Sequence, residues 1–96
     1  METTIMKTTF RNDIKQWIKA GGENPSAVLV SAKRVRDLGY GGGEAAFVIN
    51  AEGSQIYRDL WYFEFGPKRY DDLVALCATH GYYPELGYGY VTFYKS

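Results

Sequence analysis

The residues best suited to nucleophilic chemistry are Cys77 and His80, the only cysteine and the only histidine of the chain. They stand three positions apart near the end of a predicted helix, a spacing that places a thiol and an imidazole on one helix face. Nucleophilic catalysis also needs a group that orients the base and donors for an oxyanion, and no residues supply these at a recognisable spacing. We therefore expect Cys77 to pack in the core and His80 to interact with the helix dipole.

Two other patterns contain the residue types of a ligand site. The glycine-rich run at residues 39 to 43 lacks the lysine and the hydroxyl residue of a P-loop, and no predicted strand precedes it. Glu64, Asp71 and Asp72 carry carboxylates that a metal ion could use, but acidic residues in the first turn of a helix are expected from the helix dipole alone. The sequence therefore predicts no catalytic residue, no metal site and no cofactor, and we expect a protein that is not an enzyme.

The tyrosines are the most informative residues of the chain. Twelve of the sixteen aromatic residues lie between Tyr57 and Tyr94, and a chain of 96 residues cannot bury all of them. Tyrosine presents a large, stiff surface and a hydroxyl that stays hydrated, so a surplus at the surface usually serves recognition. We predict a protein-binding surface formed by tyrosines of the C-terminal half and one acidic neighbour, namely Tyr62, Tyr82, Tyr83, Glu85, Tyr88, Tyr90 and Tyr94.

Composition and charge describe one ordinary globular domain over residues 1 to 96, with 46% hydrophobic and 23% charged residues. The longest apolar run is far shorter than the roughly 20 residues that cross a bilayer, so we expect no membrane partner. The start shows no secretory signal and the chain has a single cysteine, which together predict a cytoplasmic location. The net charge is zero, but residues 1 to 43 sum to +3 and residues 44 to 96 to −3. An acidic half favours a protein partner with a basic surface.

Two helices are predicted in the N-terminal half, where they would position the basic residues. Residues 9 to 20 repeat apolar side chains at helical spacing and are followed by a glycine pair that stops a helix. Residues 25 to 38 follow an asparagine and begin with proline, which is typical of a helix start. The β-branched run at residues 28 to 30 suits a strand equally well, so both alternatives stay open for this segment.

The middle of the chain predicts a β-hairpin. Residues 45 to 50 are short and apolar, a Glu-Gly pair supplies a turn, and residues 55 to 65 alternate in the manner of a strand. The alternation assigns four aromatic side chains to the core, namely Tyr57, Trp61, Phe63 and Phe65.

The C-terminal third predicts a helix at residues 67 to 80, a loop at residues 82 to 87 and a strand at residues 88 to 95. In that strand Val91 and Phe93 belong to the core, which turns the tyrosines of the strand to the other face. The element order is α-α-β-β-α-β. We predict an α+β fold in which one three-stranded sheet, antiparallel or mixed, packs on the helices.

A nucleic-acid alternative uses the basic residues of the second predicted helix. Residues 9 to 65 resemble a helix-turn-helix with a β-hairpin wing, a fold in which the second helix enters the major groove and the wing touches the DNA backbone. The resemblance implies DNA contacts by Lys33, Arg34 and Arg36. The neutral net charge and Asp37 within the basic cluster oppose this reading, because phosphate contacts usually require an excess of cations. A solvated helix face is the other explanation.

The function expected from these observations is the binding of a protein partner without chemistry. A chain of under 100 residues with no active-site pattern has the size and character of stoichiometric inhibitors encoded by phages and mobile elements, such as anti-CRISPR proteins. No motif assigns it to such a family. DNA binding is the alternative, and the sequence leaves the oligomeric state open.

Overall fold

The computed structural model describes residues 2 to 37, 47 to 50, 53 to 87 and 89 to 96. These residues form an α+β fold in which helices pack on a four-stranded antiparallel sheet. In chain order the elements are α1 (Glu2–Ala20), α2 (Pro25–Val28), β1 (Leu29–Ser31), α3 (Ala32–Asp37), β2 (Phe47–Asn50), α4 (Gln55–Trp61), α5 (Lys68–Thr79), β3 (Tyr82–Leu86) and β4 (Tyr90–Lys95). The glycine-rich run at residues 39 to 43 lies outside the described residues.

The strands are ordered β1-β2-β4-β3, so the C-terminal strand β4 lies inside the sheet. Ile49 of β2 is opposite Leu29 of β1 and Val91 of β4. Because side chains alternate along a strand, Phe93 shares their face. All four side chains are buried in one cluster with residues of α1, α4 and α5. The predicted α+β arrangement and the core positions in β4 are confirmed, and the sheet has four strands instead of three.

Helix α1 carries the apolar stripe that the sequence predicted, with Phe10, Ile14, Trp17 and Ile18 buried. The helix begins at residue 2, earlier than predicted, and ends before the positive φ of Gly22. This helix supplies much of the core that supports the sheet.

The segment at residues 25 to 38 contains both of the structures that the sequence allowed. The Asn24 side chain accepts a hydrogen bond from the Ser26 backbone N–H at 3.0 Å, which caps the short helix α2. The β-branched residues that follow pair with β2 as strand β1, and α3 then resumes a helical path. The strand interrupts the helix because its backbone groups find partners in the sheet.

The predicted strand at residues 55 to 65 is wrong, because residues 55 to 61 form helix α4. The Ser54 hydroxyl accepts a hydrogen bond from the Tyr57 N–H at 3.3 Å and so caps the helix. Ile56 and Leu60, four positions apart, are fully buried on one helix face. A helix therefore buries the aliphatic residues of this segment, whereas the predicted strand would have buried its aromatic residues.

The aromatic core predicted for this segment is wrong for the same reason at Phe63 and Phe65. Phe63 and Phe65 are 47% and 78% exposed. Trp61 is partly buried and packs against the core, and its ring stacks on the ring of the partly exposed Tyr57 with centroids 4.8 Å apart. The two residues are four positions apart, a spacing that places side chains on the same face of a helix and also on the same face of a strand. The sequence pattern of this segment therefore resembles that of a strand.

The predicted helix at residues 67 to 80 is confirmed as α5, whose Leu73 and Cys77 are buried. The predicted loop at residues 82 to 87 is wrong, because β3 pairs with β4 over its whole length. Among the described strands β3 lies at an edge of the sheet, and its Pro84 is tolerated there because an edge strand leaves one row of backbone groups unpaired.

Candidate interaction surfaces

Four of the seven residues predicted to bind a protein share one face of the sheet, and we call this group the tyrosine face: Tyr83, Glu85, Tyr90 and Tyr94. Tyr83 is opposite Tyr94 in the register of β3 and β4, and Glu85 is opposite Thr92. Since Val91 and Phe93 point into the helical layer, the alternating residues of β4 point away from it. The tyrosine face is therefore the side of the sheet turned away from the core.

The rings of Tyr83 and Tyr94 stack across the two strands with centroids 5.8 Å apart and an interplanar angle of 30°. Tyr83 is 43% exposed and Tyr94 is half-buried. Stacking fixes both rings before any partner arrives, so less rotamer freedom remains to be lost on binding.

Tyr90 is positioned by the connection between β3 and β4. Its ring lies directly against Gly87, where a Cβ atom would overlap the ring. The Gly87 N–H donates a hydrogen bond to the Tyr90 carbonyl at 2.7 Å. A larger residue at position 87 would therefore force the Tyr90 ring to move.

The centre of the same face is closed to solvent. Val48 and Thr92 are only 1% and 5% exposed, although neither points into the helical core. The Thr92 hydroxyl donates a hydrogen bond to the Glu85 carbonyl at 3.4 Å. The accessible part of the tyrosine face is consequently its β3 side, around Tyr83 and Glu85, which are both exposed.

Two of the other three predicted residues, Tyr82 and Tyr62, lie away from the tyrosine face. Tyr82 lies on the core side of the sheet, where its ring stacks on Phe10 with centroids 4.5 Å apart. Tyr62 follows α4 in the helical layer and is 70% exposed. Tyr88 lies outside the described residues.

The sequence did not predict a second aromatic surface, although Tyr62, one of its residues, was among the predicted binding residues. The turn between α4 and α5, residues 62 to 65, exposes Tyr62, Phe63 and Phe65, and we call it the aromatic turn. The reading of this segment as a strand assigned both phenylalanines to the core. The signal that would have found the turn is the Gly-Pro pair at residues 66 and 67, which breaks a strand directly after three exposed aromatic residues.

The aromatic turn is held by backbone and side-chain contacts. The Arg58 carbonyl accepts hydrogen bonds from the N–H groups of Tyr62 and Glu64, each at 3.2 Å. The Arg58 guanidinium lies 3.4 Å from the Glu64 carboxylate. Phe63 adopts a φ of +48°, a left-handed conformation that is costly for a bulky residue. Strained residues of this kind cluster at functional sites.

The basic residues of the DNA alternative, Lys33, Arg34 and Arg36, are exposed on α3, a helix of six residues. The Lys33 ammonium lies 3.3 Å from the Asp37 carboxylate. The predicted β-hairpin wing is wrong, because the segment predicted as its second strand forms helix α4. DNA binding by these residues stays a prediction.

Cys77 and His80 do not form a nucleophile and base. Burial raises the pKa of the Cys77 thiol to about 12, so the thiolate is not available at neutral pH. His80 Nε2 lies 2.8 Å from an Asp13 carboxylate oxygen, and its ring packs on Phe10. These contacts join the end of α5 to α1, which is a structural role.

An open depression of about 330 Å³ lies where α1 ends beside α4 and α5. Lys68 and Arg69 line it, but so does the buried carboxylate of Asp59, and Lys68 lies 2.9 Å from Asp72. The charges of the depression therefore favour neither an anion nor a cation. Within the described ranges, no group of three histidine, cysteine or acidic side chains could hold a metal ion.

Comparison with known proteins adds no functional assignment: no protein-family model, curated protein or solved structure matches this chain. Among the residues that the structure describes, no helix has the length and apolar character needed to cross a membrane.

Proposed function

We propose that the protein is a binding domain without catalytic chemistry that docks on another protein through the tyrosine face. The observation that supports this proposal is the stacked pair of rings, Tyr83 and Tyr94, presented by neighbouring strands on the side of the sheet opposite the core. A tyrosine ring combines a large contact area with a polar hydroxyl, and tyrosines dominate binding energies at many interfaces.

The partner that fits this face has a basic side chain near its contact patch. Glu85 is exposed on the same face as the two stacked rings, and the C-terminal half of the chain carries a charge of −3. A carboxylate beside an aromatic anchor steers a positively charged partner and fixes its orientation. Nucleic acid is disfavoured at this face, because its phosphates would meet the same carboxylate.

The mode of action that we propose is stoichiometric inhibition. A domain of 96 residues that covers a partner's surface without chemistry acts by occluding that surface. Small inhibitors of phages and mobile elements, such as anti-CRISPR proteins, are the functional type that we propose. A cytoplasmic location stays a prediction.

The proposal is tested by capturing partners on the tagged protein, identifying them by mass spectrometry and titrating the purified partner by calorimetry. The double variant Tyr83→Ala/Tyr94→Ala is expected to bind at least about 30-fold more weakly, as the loss of an interface anchor predicts. Tyr62→Ala removes an exposed tyrosine on the other side of the core and should change the affinity less than about threefold.

A double variant that binds as tightly as the wild type would refute the tyrosine face. Nuclease treatment of the captured material separates the DNA alternative. If nucleic acid is captured, and if replacing Lys33, Arg34 and Arg36 with alanine abolishes its capture, the DNA hypothesis replaces the proposal.

A further inference from the structure

We infer that the aromatic turn is a contact between two copies of this chain, which form a weak dimer with two-fold symmetry. The turn lies in the helical layer, so the contact is separate from the tyrosine face on the other side of the core. A dimer of this kind leaves both tyrosine faces accessible.

The apolar surface at the turn is large for so short a segment. Tyr62, Phe63 and Phe65 are 70%, 47% and 78% exposed. Since one such side chain presents about 150 to 250 Å², the three leave about 300 to 500 Å² of mostly apolar surface in water. The largest patch on a typical monomer has this size and is often functional. The Tyr57 ring, 5.6 Å from the Tyr62 ring, extends the patch along α4.

The charges around the turn favour a second copy as the occupant. In a two-fold contact each patch meets itself, so a patch with charges of one sign would repel its own copy. Here Arg58 lies 3.4 Å from Glu64, and Lys68 lies 2.9 Å from Asp72, so each of these exposed cations is paired with an anion. The net charge of the whole chain is also zero, so no long-range repulsion opposes association.

The same ion pairs can be rearranged across the symmetry axis. Arg58 of one copy can face Glu64 of the other without leaving either charge unpaired, because both groups are partly exposed in the single chain. An unrelated partner would need a surface with a complementary arrangement of charges, whereas a second copy of this chain already has such a surface.

The turn is ordered before any contact is made. Gly66 donates a backbone hydrogen bond to the Phe63 carbonyl at 2.9 Å, which closes the turn. The Phe63 ring rests 6.1 Å from the Tyr70 ring of α5. A preorganised loop loses little conformational entropy on association, which compensates in part for a small interface.

The size of the patch sets the strength of the dimer. Two copies of the patch bury about 600 to 1,000 Å² in total before the surrounding polar residues are counted. Stable interfaces bury about 1,200 to 2,000 Å², so the contact belongs to the weak, transient class. We therefore expect a dissociation constant of micromolar order or weaker.

Sedimentation velocity of the purified protein from about 5 µM to about 500 µM, a range that brackets a micromolar dissociation constant, tests the inference. The wild type is expected to shift with concentration toward twice its monomer mass of 10.9 kDa. Phe65→Ser is expected to raise the dissociation constant at least about tenfold, as the loss of an interface anchor predicts. Its folding should be unaffected, since Phe65 is 78% exposed.

Two further variants separate this contact from general stickiness. Tyr83→Ser removes an exposed aromatic side chain of the tyrosine face and should leave the association unchanged. Glu64→Lys replaces the anion that faces Arg58 with a cation, so it should weaken the dimer in low salt and lose that effect in about 0.5 M salt, where charges are screened.

The inference is overturned if the wild type remains monomeric up to the highest concentration. It is also overturned if Phe65→Ser and Tyr83→Ser change the association equally. Neither result bears on the tyrosine face, whose test measures binding to a different protein.

Discussion

Replacing Asp59 with asparagine is expected to destabilise the fold by about 3 kcal/mol, a cost that follows from the breaking of a buried ion pair. The Asp59 side chain is only 4% exposed and accepts hydrogen bonds from Gln55 Nε2 at 3.1 Å and from Arg69 Nε at 3.3 Å. The Arg69 guanidinium also lies 4.0 Å from the centre of the Trp17 ring. The pair therefore joins α1, α4 and α5 at one point.

The magnitude follows from the environment of the charge that remains. Removal of one partner from a buried ion pair costs about 3 to 5 kcal/mol, because the other charge stays buried without compensation. Arg69 is 20% exposed, so water recovers part of this loss and the lower end of the range applies. Its Nη2 atom is buried and has no hydrogen-bond partner among the described residues, so Arg69 depends on Asp59 and the Trp17 ring to compensate its charge. For a domain of this size, 3 kcal/mol lowers the melting temperature by about 12 to 24 °C.

The matched control is Asp72→Asn. Asp72 lies closer to its partner Lys68, at 2.9 Å, but the two side chains are 49% and 83% exposed. Exposed pairs contribute about 0 to 1 kcal/mol, so the control should stay within 1 kcal/mol of the wild type. Urea denaturation followed by circular dichroism measures the free energy of unfolding of both variants. An m value equal to that of the wild type shows that the variant changes stability and not the compactness of the unfolded chain.

The reasoning fails if Asp59→Asn costs no more than Asp72→Asn. A second check is the cycle with Arg69→Met, which keeps an apolar stem against Trp17. If the charges interact as the structure shows, the double variant loses less stability than the sum of the single variants. Strict additivity would mean that the two side chains do not interact.

Two further expectations follow from single residues. Burial raises the pKa of the Cys77 thiol to about 12, so the native protein should resist iodoacetamide at pH 8 and react only after unfolding in urea. Rapid labelling of the native protein would contradict the burial of Cys77. Phe63 has a φ of +48°, a conformation that glycine adopts without strain, so Phe63→Gly should leave the free energy of unfolding equal or raise it by up to about 1 kcal/mol in dilute solution. A clear loss of stability in a thermal melt would mean that the Phe63 ring stabilises the fold by more than its backbone strain costs.

Elements with strong local signals were predictable from the sequence. In α1 and α5 the apolar residues recur at helical spacing and glycine ends each run, so local periodicity and the stop signals agree. In β4 the alternation of Val91 and Phe93 with polar neighbours is enough to separate the two faces of the strand. The same alternation predicted that Tyr90 and Tyr94 share a face, which the structure confirms.

Elements whose local signals were ambiguous required the tertiary structure. The pattern at residues 55 to 65 fits both a strand and a helix. Helix α4 forms because Ile56 and Leu60 are then buried in the core and Asp59 pairs with Arg69 of α5. β3 contains a proline and lacks a simple alternation, and it becomes a strand because β4 offers it a full row of hydrogen-bond partners.

The sequence by itself determined helices α1 and α5, the faces of the last strand and the surplus of tyrosines. Only the tertiary structure decided which aromatic residues stay in water. Tyr82 is placed on the core by Phe10, seventy-two positions earlier, whereas Phe63 and Phe65 are turned outward because α4 and α5 are already packed through other residues. Burial depends on contacts between distant segments, and no pattern confined to neighbouring residues contains that information.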